Sequence, residues 1–307
     1  MASYQSCRQL LQEKSPPNAL PSYCTRTNKY LAILAHGSPA LCKFVLALKF
    51  YSFLYYTRFM KISIIIPCKN EAGVVECLLE ALVRQSRVAD EIIVVDSHST
   101  DTTVESSQQY ANKLPLTIIK AGKPGAAHAR NAGAAVATGD MLIFMDADLI
   151  PDAEFLADFE VQVAKHLFAA GSFTQQMKSK KMTIRLGASF MVGYMRLMAH
   201  TPWPIGFSCL YATRQAFQTI NGFDPELFIM EDYDFVLKAK RAGYKIGIIK
   251  TNCQSSDRRY REQDFKQGLR GIYGELYRYT HGLRITKPIY RYDMGGTTTS
   301  TEKDSTS

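Results

Sequence analysis

Asp146 and Asp148 stand one alanine apart at the end of an apolar run, in the stretch MLIFMDADLIPD (141–152). Two carboxylates at the margin of an interior segment are costly unless a cation or hydrogen-bond donors meet them. On a strand, side chains at i and i+2 point the same way, so this spacing lets both acids converge on one object. Ala147 leaves the approach open. Further acids stand at Asp96, closing EIIVVD (91–96), and at Glu231–Asp232, opening a later helical stretch. Between them lies KPGAAHARNAG (123–133), which supplies Lys123 and Arg130 near a helix N-terminus. Two carboxylates with a divalent cation, cationic side chains and a helix N-terminus are the parts that hold a diphosphate. Plainer readings stand beside this one. Asp146 and Asp148 could cap the helix after Pro151 or lie in a solvated loop. Asp232 could be an acid favoured by a helix dipole, with Glu231 and Asp234 as rivals for any proton transfer. Arg130 could be a surface residue.

These residues need elements to hold them. KISIIIP (61–67), EIIVVD (91–96), LTIIK (116–120) and MLIFMD (141–146) read as short strands. Between them, EAGVVECLLEALVRQ (71–85) carries apolar residues at helical spacing, TDTTVESSQQYA (100–111) opens with capping residues, and GAAHARNAGAAVA (125–137) is alanine-rich. Strands alternating with helices imply right-handed crossovers and a mainly parallel sheet covered on both faces. Ligands of such sheets bind outside the carboxyl ends of the strands, where Pro67, Asp96 and Asp146 fall. After Pro151 the pattern becomes mixed: a helix at about 152–165, an amphipathic stretch over 183–200, and a strand over 244–250.

Of 307 residues, 46% are hydrophobic and 21% charged, the balance of a globular protein. The net charge of +9 is concentrated in residues 1–59, which hold seven Lys/Arg against Glu13 alone. The regular pattern starts at Met60, so residues 1–59 are expected to be a dispensable extension from an upstream start. A membrane span there would have to bury Lys43 and Lys49, and an interfacial anchor or a targeting segment are the other readings. Seven scattered cysteines lack metal-ligand spacing and imply free thiols in a reducing, cytoplasmic setting. None of the six histidines has a partner spacing that points to a metal. Residues 258–292, with nine Lys/Arg, three acids and six tyrosines, read as a basic helical tail. The tail would either pack back on the domain or touch an anionic membrane, and residues 293–307 are too polar to fold.

Five segments in order, SIIIPCKNE (63–71), IIVVDSHSTDTT (92–103), GAAHARNAGAAVATGDMLIFMDADLIP (125–151), NGFDPELFIMEDYDF (221–235) and KAKRAGYKI (238–246), resemble the family 2 glycosyltransferases of the GT-A fold. The resemblance spans about residues 60–257. It implies an α/β, Rossmann-like domain with a nucleotide-sugar half (60–150) and a mixed acceptor half (151–257). It implies a hexosyltransferase-type enzyme that moves a sugar from a nucleotide-diphosphate donor to a saccharide or lipid-linked acceptor hydroxyl, usually with inversion, in cell-surface glycan or glycolipid synthesis. By position, Pro67 and Glu71 would flank the nucleotide pocket, and Asp96 would accept a hydrogen bond from the base. Lys123 and Arg130 would lie near the ribose and diphosphate. Asp146 and Asp148 resemble the D-x-D pair that holds Mg²⁺ or Mn²⁺, and Asp232 resembles the general base. The 183–200 stretch, interrupted by Arg185 and Arg196, would cover the acceptor side rather than enter a membrane.

Two departures matter. His98 stands where the family often has glycine, which weakens the expectation of a positive φ there. The Gln-x-x-Arg-Trp motif of processive polysaccharide synthases is absent, with Arg258-Arg259-Tyr260 in its place. Competing readings are a haloacid-dehalogenase-like phosphatase, whose Asp-x-Asp belongs on the first strand, and a non-catalytic nucleotide-sugar-binding module. No nucleic-acid partner is expected.

Overall fold

The computed structural model describes residues 60–178, 182–206 and 209–256, and beyond them only 273–274, 277, 280 and 284–286. All belong to the unit Tyr56–Ser307. The readings of residues 1–59 and 293–307, and most of 258–292, lie outside the described residues.

The first half alternates as its pattern implies: β1 (Ile62–Cys68), α1 (Val75–Val83), β2 (Glu91–Asp96), α2 (Thr103–Gln108), β3 (Leu116–Lys120), α3 (Ala126–Val136) and β4 (Met141–Phe144). The second half runs β5 (Leu149–Pro151), α4 (Phe155–His166), β6 (Ala170–Lys178), α5 (Met182–Ala199), β7 (Leu210–Thr213), α6 (Arg214–Thr219), α7 (Glu231–Arg241) and β8 (Ile246–Ser256). One eight-stranded sheet has the order β3-β2-β1-β4-β7-β6-β8-β5. Strands β1 to β4 are mutually parallel; β7 enters antiparallel between β4 and β6, and β5 pairs antiparallel with β8. The sheet is therefore parallel in the first half and mixed in the second.

The uninterrupted apolar runs follow from burial on both faces. Ile62, Ile64 and Ile66 of β1 join Ile92 and Val94 of β2 beneath α1 and α4. Ile65, Ile93, Val95, Leu142 and Phe144 point to the opposite face, under α3, α6 and α7. A Cβ on Gly133 of α3 would collide with the Ile65 side chain, so glycine there lets α3 lie close on the sheet.

The Asp-x-Asp stretch differs from its sequence reading. β4 ends at Phe144, and Leu149 N–H donates to the Asp146 carbonyl at 3.2 Å, closing a turn. Asp146 and Asp148 thus leave the strand, and the alternation argument does not apply to them. They reach a common space because the turn projects past the sheet.

Candidate active site

A cavity of about 550 Å³ opens at the carboxyl ends of the parallel strands. One wall is Pro67 and Cys68 at the end of β1, with Lys69 and Glu71 just after it and Ser97 after β2. A second is Pro124 to His128 with Arg130, where α3 begins. Asp146, Ala147 and Asp148 form the floor turn, and Pro225 with residues 227–233 closes the far side. Gly125, at the N-cap of α3, has φ of 130° and supplies no side-chain cap. The first turn of α3 therefore meets the cavity with backbone N–H groups and the positive end of the helix dipole. Gly125 N–H itself donates to Ser97 Oγ at 3.0 Å.

Arg130 organises the centre. It is 4% exposed, its Nη1 donates to Glu231 Oε1 at 2.8 Å and its Nη2 to Asp146 Oδ1 at 2.9 Å. Burial works against its charge, but the Asp146 and Glu231 carboxylates outweigh burial and push its pKa further up. The guanidinium lies 5.3 Å from the Phe223 ring centroid, and Phe223 stacks on Phe235 at 4.4 Å. Among the described residues, the Nε has no hydrogen-bond partner. The alanines around Arg130 follow from this placement: α3 is packed close to the sheet, and only the arginine reaches across to two acids.

The next residue anchors the far wall. Asn131 Oδ1 accepts from Phe223 N–H at 3.0 Å, and its Nδ2 donates to Phe223 O at 2.8 Å. The loop that follows ends at Met230, which has φ of 65° at the N-cap of α7. A non-glycine residue held left-handed at a cavity edge is strained and is maintained by its surroundings. It turns the chain so that Glu231 and Asp232 enter the cavity together.

The three acids of this helix start separate by contact. Glu231 is taken by Arg130. Asp234 pairs with Lys238 at 3.2 Å and does not line the cavity. Asp232 lines it, its Oδ1 accepting Tyr233 N–H at 2.9 Å. Behind it, a Cβ on Gly206 would strike the Asp232 carbonyl, so only glycine lets this backbone approach the base of α7. Sequence reasoning missed Gly206, Phe223, Asn131 and Met230. The quoted motif blocks contain Asn131, Phe223 and Met230 without giving them a role, and Gly206 lies in none, because the contacts link distant segments.

Other expected site residues lie elsewhere. Asp96 is buried one residue behind Ser97, does not line the cavity, and accepts Ser99 N–H at 3.0 Å through Oδ1. Lys123 is exposed and off the wall, because the loop presents Pro124 and the Gly125 backbone inward. His98 has φ of 62°, correcting the expectation from its side chain: this backbone is left-handed even without glycine. Asp101 ties the two loops, its Oδ1 accepting from Thr103 N–H at 3.1 Å and its Oδ2 from Ala72 N–H at 3.2 Å. Burial raises its pKa, but hydrogen bonds from the Thr103 hydroxyl and the Ala72 and Thr103 amides hold it below the usual carboxylate range. Cys68 lines the cavity, yet burial, with Glu71 and Asp96 nearby, pushes its thiol well up, so it offers no thiolate. In the basic tail, Arg284 Nε donates to Asp224 Oδ2 at 3.0 Å, and Phe228 N–H donates to Ile285 O at 2.8 Å. This described part of the tail packs on the cavity loop.

Among the described residues, no group of three or more His, Cys, Asp or Glu could hold a metal ion. Asp146 and Asp148 are two hard oxygen donors on one wall. That set fits Mg²⁺ or Mn²⁺, which bind through one or two carboxylates and complete their shell with substrate phosphates and water.

Comparison with known proteins converges on this segment. Residues 63–201 match the family described as Glycosyl transferase family 2. An uncharacterized glycosyltransferase of Escherichia coli (strain K12) is 39% identical over 89 residues, 29% of this chain and 26% of its own length. The chain thus spans about a quarter of that relative. Among solved structures, Staphylococcus aureus TarS (residues 1–349, in complex with UDP-GlcNAc) gives a TM-score of 0.53 at 20% identity, covering 64% of this chain and 58% of that one. The mannosyltransferase PcManGT of Pyrobaculum calidifontis, in complex with GDP-Man and Mn²⁺, gives 0.53 at 24% identity, covering 68% and 66%. These likenesses show the fold, an α/β sheet shared with nucleotide-sugar transferases.

Proposed function

We propose, on the match of residues 63–201 to glycosyl transferase family 2, that the chain is a metal-dependent, inverting glycosyltransferase acting on a nucleoside diphosphate sugar. The observation that carries the proposal is one cavity lined by Asp146, Asp148, Asp232 and the start of α3, whose N-cap has no side-chain cap. The ligands of the two fold relatives, UDP-GlcNAc in one and GDP-Man with Mn²⁺ in the other, support a nucleotide-sugar donor and a divalent cation. The haloacid-dehalogenase-like alternative requires Asp-x-Asp on the first strand, whereas here it follows β4.

In this reading the diphosphate lies between the first-turn amides of α3 and the Asp146–Asp148 turn, with Arg130 beside it. The nucleoside end extends toward Pro67 and Glu71, which line the cavity. When bound, Mg²⁺ or Mn²⁺ held by Asp146 and Asp148 offsets the charge of the leaving diphosphate. Asp232 receives the proton of the acceptor hydroxyl as its oxygen bonds to the anomeric carbon. The bond from that carbon to the donor phosphate oxygen breaks, and the nucleoside diphosphate departs with the electron pair. Attack from the face opposite the phosphate inverts the anomeric configuration. Glu231 is a poorer base because Arg130 already occupies it.

The acceptor is proposed to be a saccharide or a lipid-linked sugar of the cell envelope. The test is a donor screen with UDP-, GDP- and dTDP-sugars, with and without Mn²⁺, read by thermal shift and donor hydrolysis. One donor should stabilise the protein in a Mn²⁺-dependent way. Asp148→Asn should remove that dependence, and Asp232→Asn should keep binding while turnover falls by about a hundredfold or more. Full activity in excess EDTA would refute metal dependence. Donor binding without turnover toward any acceptor would leave a binding module instead.

A further inference from the structure

Helix α5 is apolar on two opposite faces. Its inner face sets Met195 and Met198 into a cluster with Ile205, against which Tyr233 and Ile248 pack. Its outer face leaves Met182, Leu186, Phe190 and Leu197 between 62% and 75% exposed. At about 100° per residue these four fall within about 80° of arc, so they form one stripe rather than scattered positions. Trp203, the chain's single tryptophan, follows the helix and is 48% exposed. Arg185 and Arg196 are exposed and lie along one edge of the stripe. From residue 161 to 223 the sequence holds seven Lys/Arg and no Asp or Glu.

We propose that the outer face of α5 docks on an anionic lipid surface, with the stripe in the acyl boundary and the basic residues at the headgroups. An exposed apolar stripe edged by cations, with a tryptophan at one end, is the design of an interfacial helix. The charge chooses the occupant: an acid-free stretch of 63 residues, counted from 161 to 223, complements anionic lipid and repels a second basic copy of itself. No described helix is long and apolar enough to cross a membrane, so the mode is peripheral. Because Tyr233 lines the cavity and packs on the inner face of α5, a docked α5 brings the cavity to the bilayer.

The test does not depend on turnover and so stands apart from the transferase reading. The full chain is mixed with vesicles of phosphatidylcholine alone or of phosphatidylcholine with phosphatidylglycerol. Co-sedimentation and a blue shift of Trp203 emission should appear only with phosphatidylglycerol and weaken as salt rises. The L186E/F190E double variant should lower partitioning by about a hundredfold, whereas Val88→Glu, at an exposed apolar position before β2, should leave it unchanged. Circular dichroism of each variant checks the fold. Equal binding to neutral vesicles, no binding, or binding that survives L186E/F190E overturns the proposal. A concentration-dependent dimer that L186E/F190E dissolves, without vesicle binding, assigns the face to a second copy and also overturns it.

Discussion

Replacing Arg130 by methionine tests the centre of the cavity most directly. The substitution keeps much of the volume but leaves Asp146 and Glu231 facing each other with no cation between them. Removing one partner of a buried ion pair costs about 3–5 kcal/mol, mostly for the charge left behind. Here the two carboxylate side chains keep 26% and 22% exposure and can regain water. The unpartnered Nε of Arg130 also no longer has to be buried. We therefore expect a loss of about 2–3 kcal/mol, read as a fall of about 5–10 °C in midpoint for a domain of this size. Thermal unfolding at neutral pH without divalent cation gives the midpoint, and urea unfolding under the same conditions the free energy. Adding Glu231→Gln to Arg130→Met should recover about 1 kcal/mol, because one of the two stranded charges is gone. A single variant as stable as the parent, or two strictly additive substitutions, would refute the bridging role.

Two further outcomes follow from the wall of the cavity. Gly206→Ala should shift the start of α7 and lower kcat by about tenfold or more, with donor affinity little changed, as steady-state kinetics will show. Asp101→Ala should cost about 1–2 kcal/mol by freeing Ala72 and Thr103 amides. Because the folded pKa of Asp101 is depressed, that stabilisation is present above the ordinary carboxylate range and is lost as pH falls through the folded value. The gap between parent and variant should be flat at neutral pH and close in acid, in denaturation curves taken across that range.

The parallel half of the fold was legible because its strands are continuous apolar runs and its helices are periodic; β2 and β3 begin and end where EIIVVD and LTIIK do. The end of β4 was not, since a turn closed by the Asp146 carbonyl has no side-chain signature. Of the residues singled out for their chemistry, Asp146, Asp148, Arg130 and Asp232 line the cavity. Lys123 and Asp96 lie off the cavity wall because proximity in sequence to a loop says nothing of which way the loop faces. His98 misled: its left-handed backbone is imposed by the hydrogen-bonded loop around it, not by its own side chain.

The double hydrogen bond of Asn131 to the backbone of Phe223 has a kinetic consequence. It rivets the segment leading to α7 onto α3, so those two walls open as one cooperative unit, not as independent flaps. The loops after β1 and β2 form a second unit, tied by Glu71 N–H to Thr103 Oγ1 at 2.8 Å, Ala72 N–H to Asp101 Oδ2 at 3.2 Å and the exposed Thr100 N–H to Asn70 Oδ1 at 2.8 Å, so release from the proposed site parts one unit from the other. Amide exchange would divide the rim accordingly, with slow, correlated protection at Phe223 and faster exchange at Thr100.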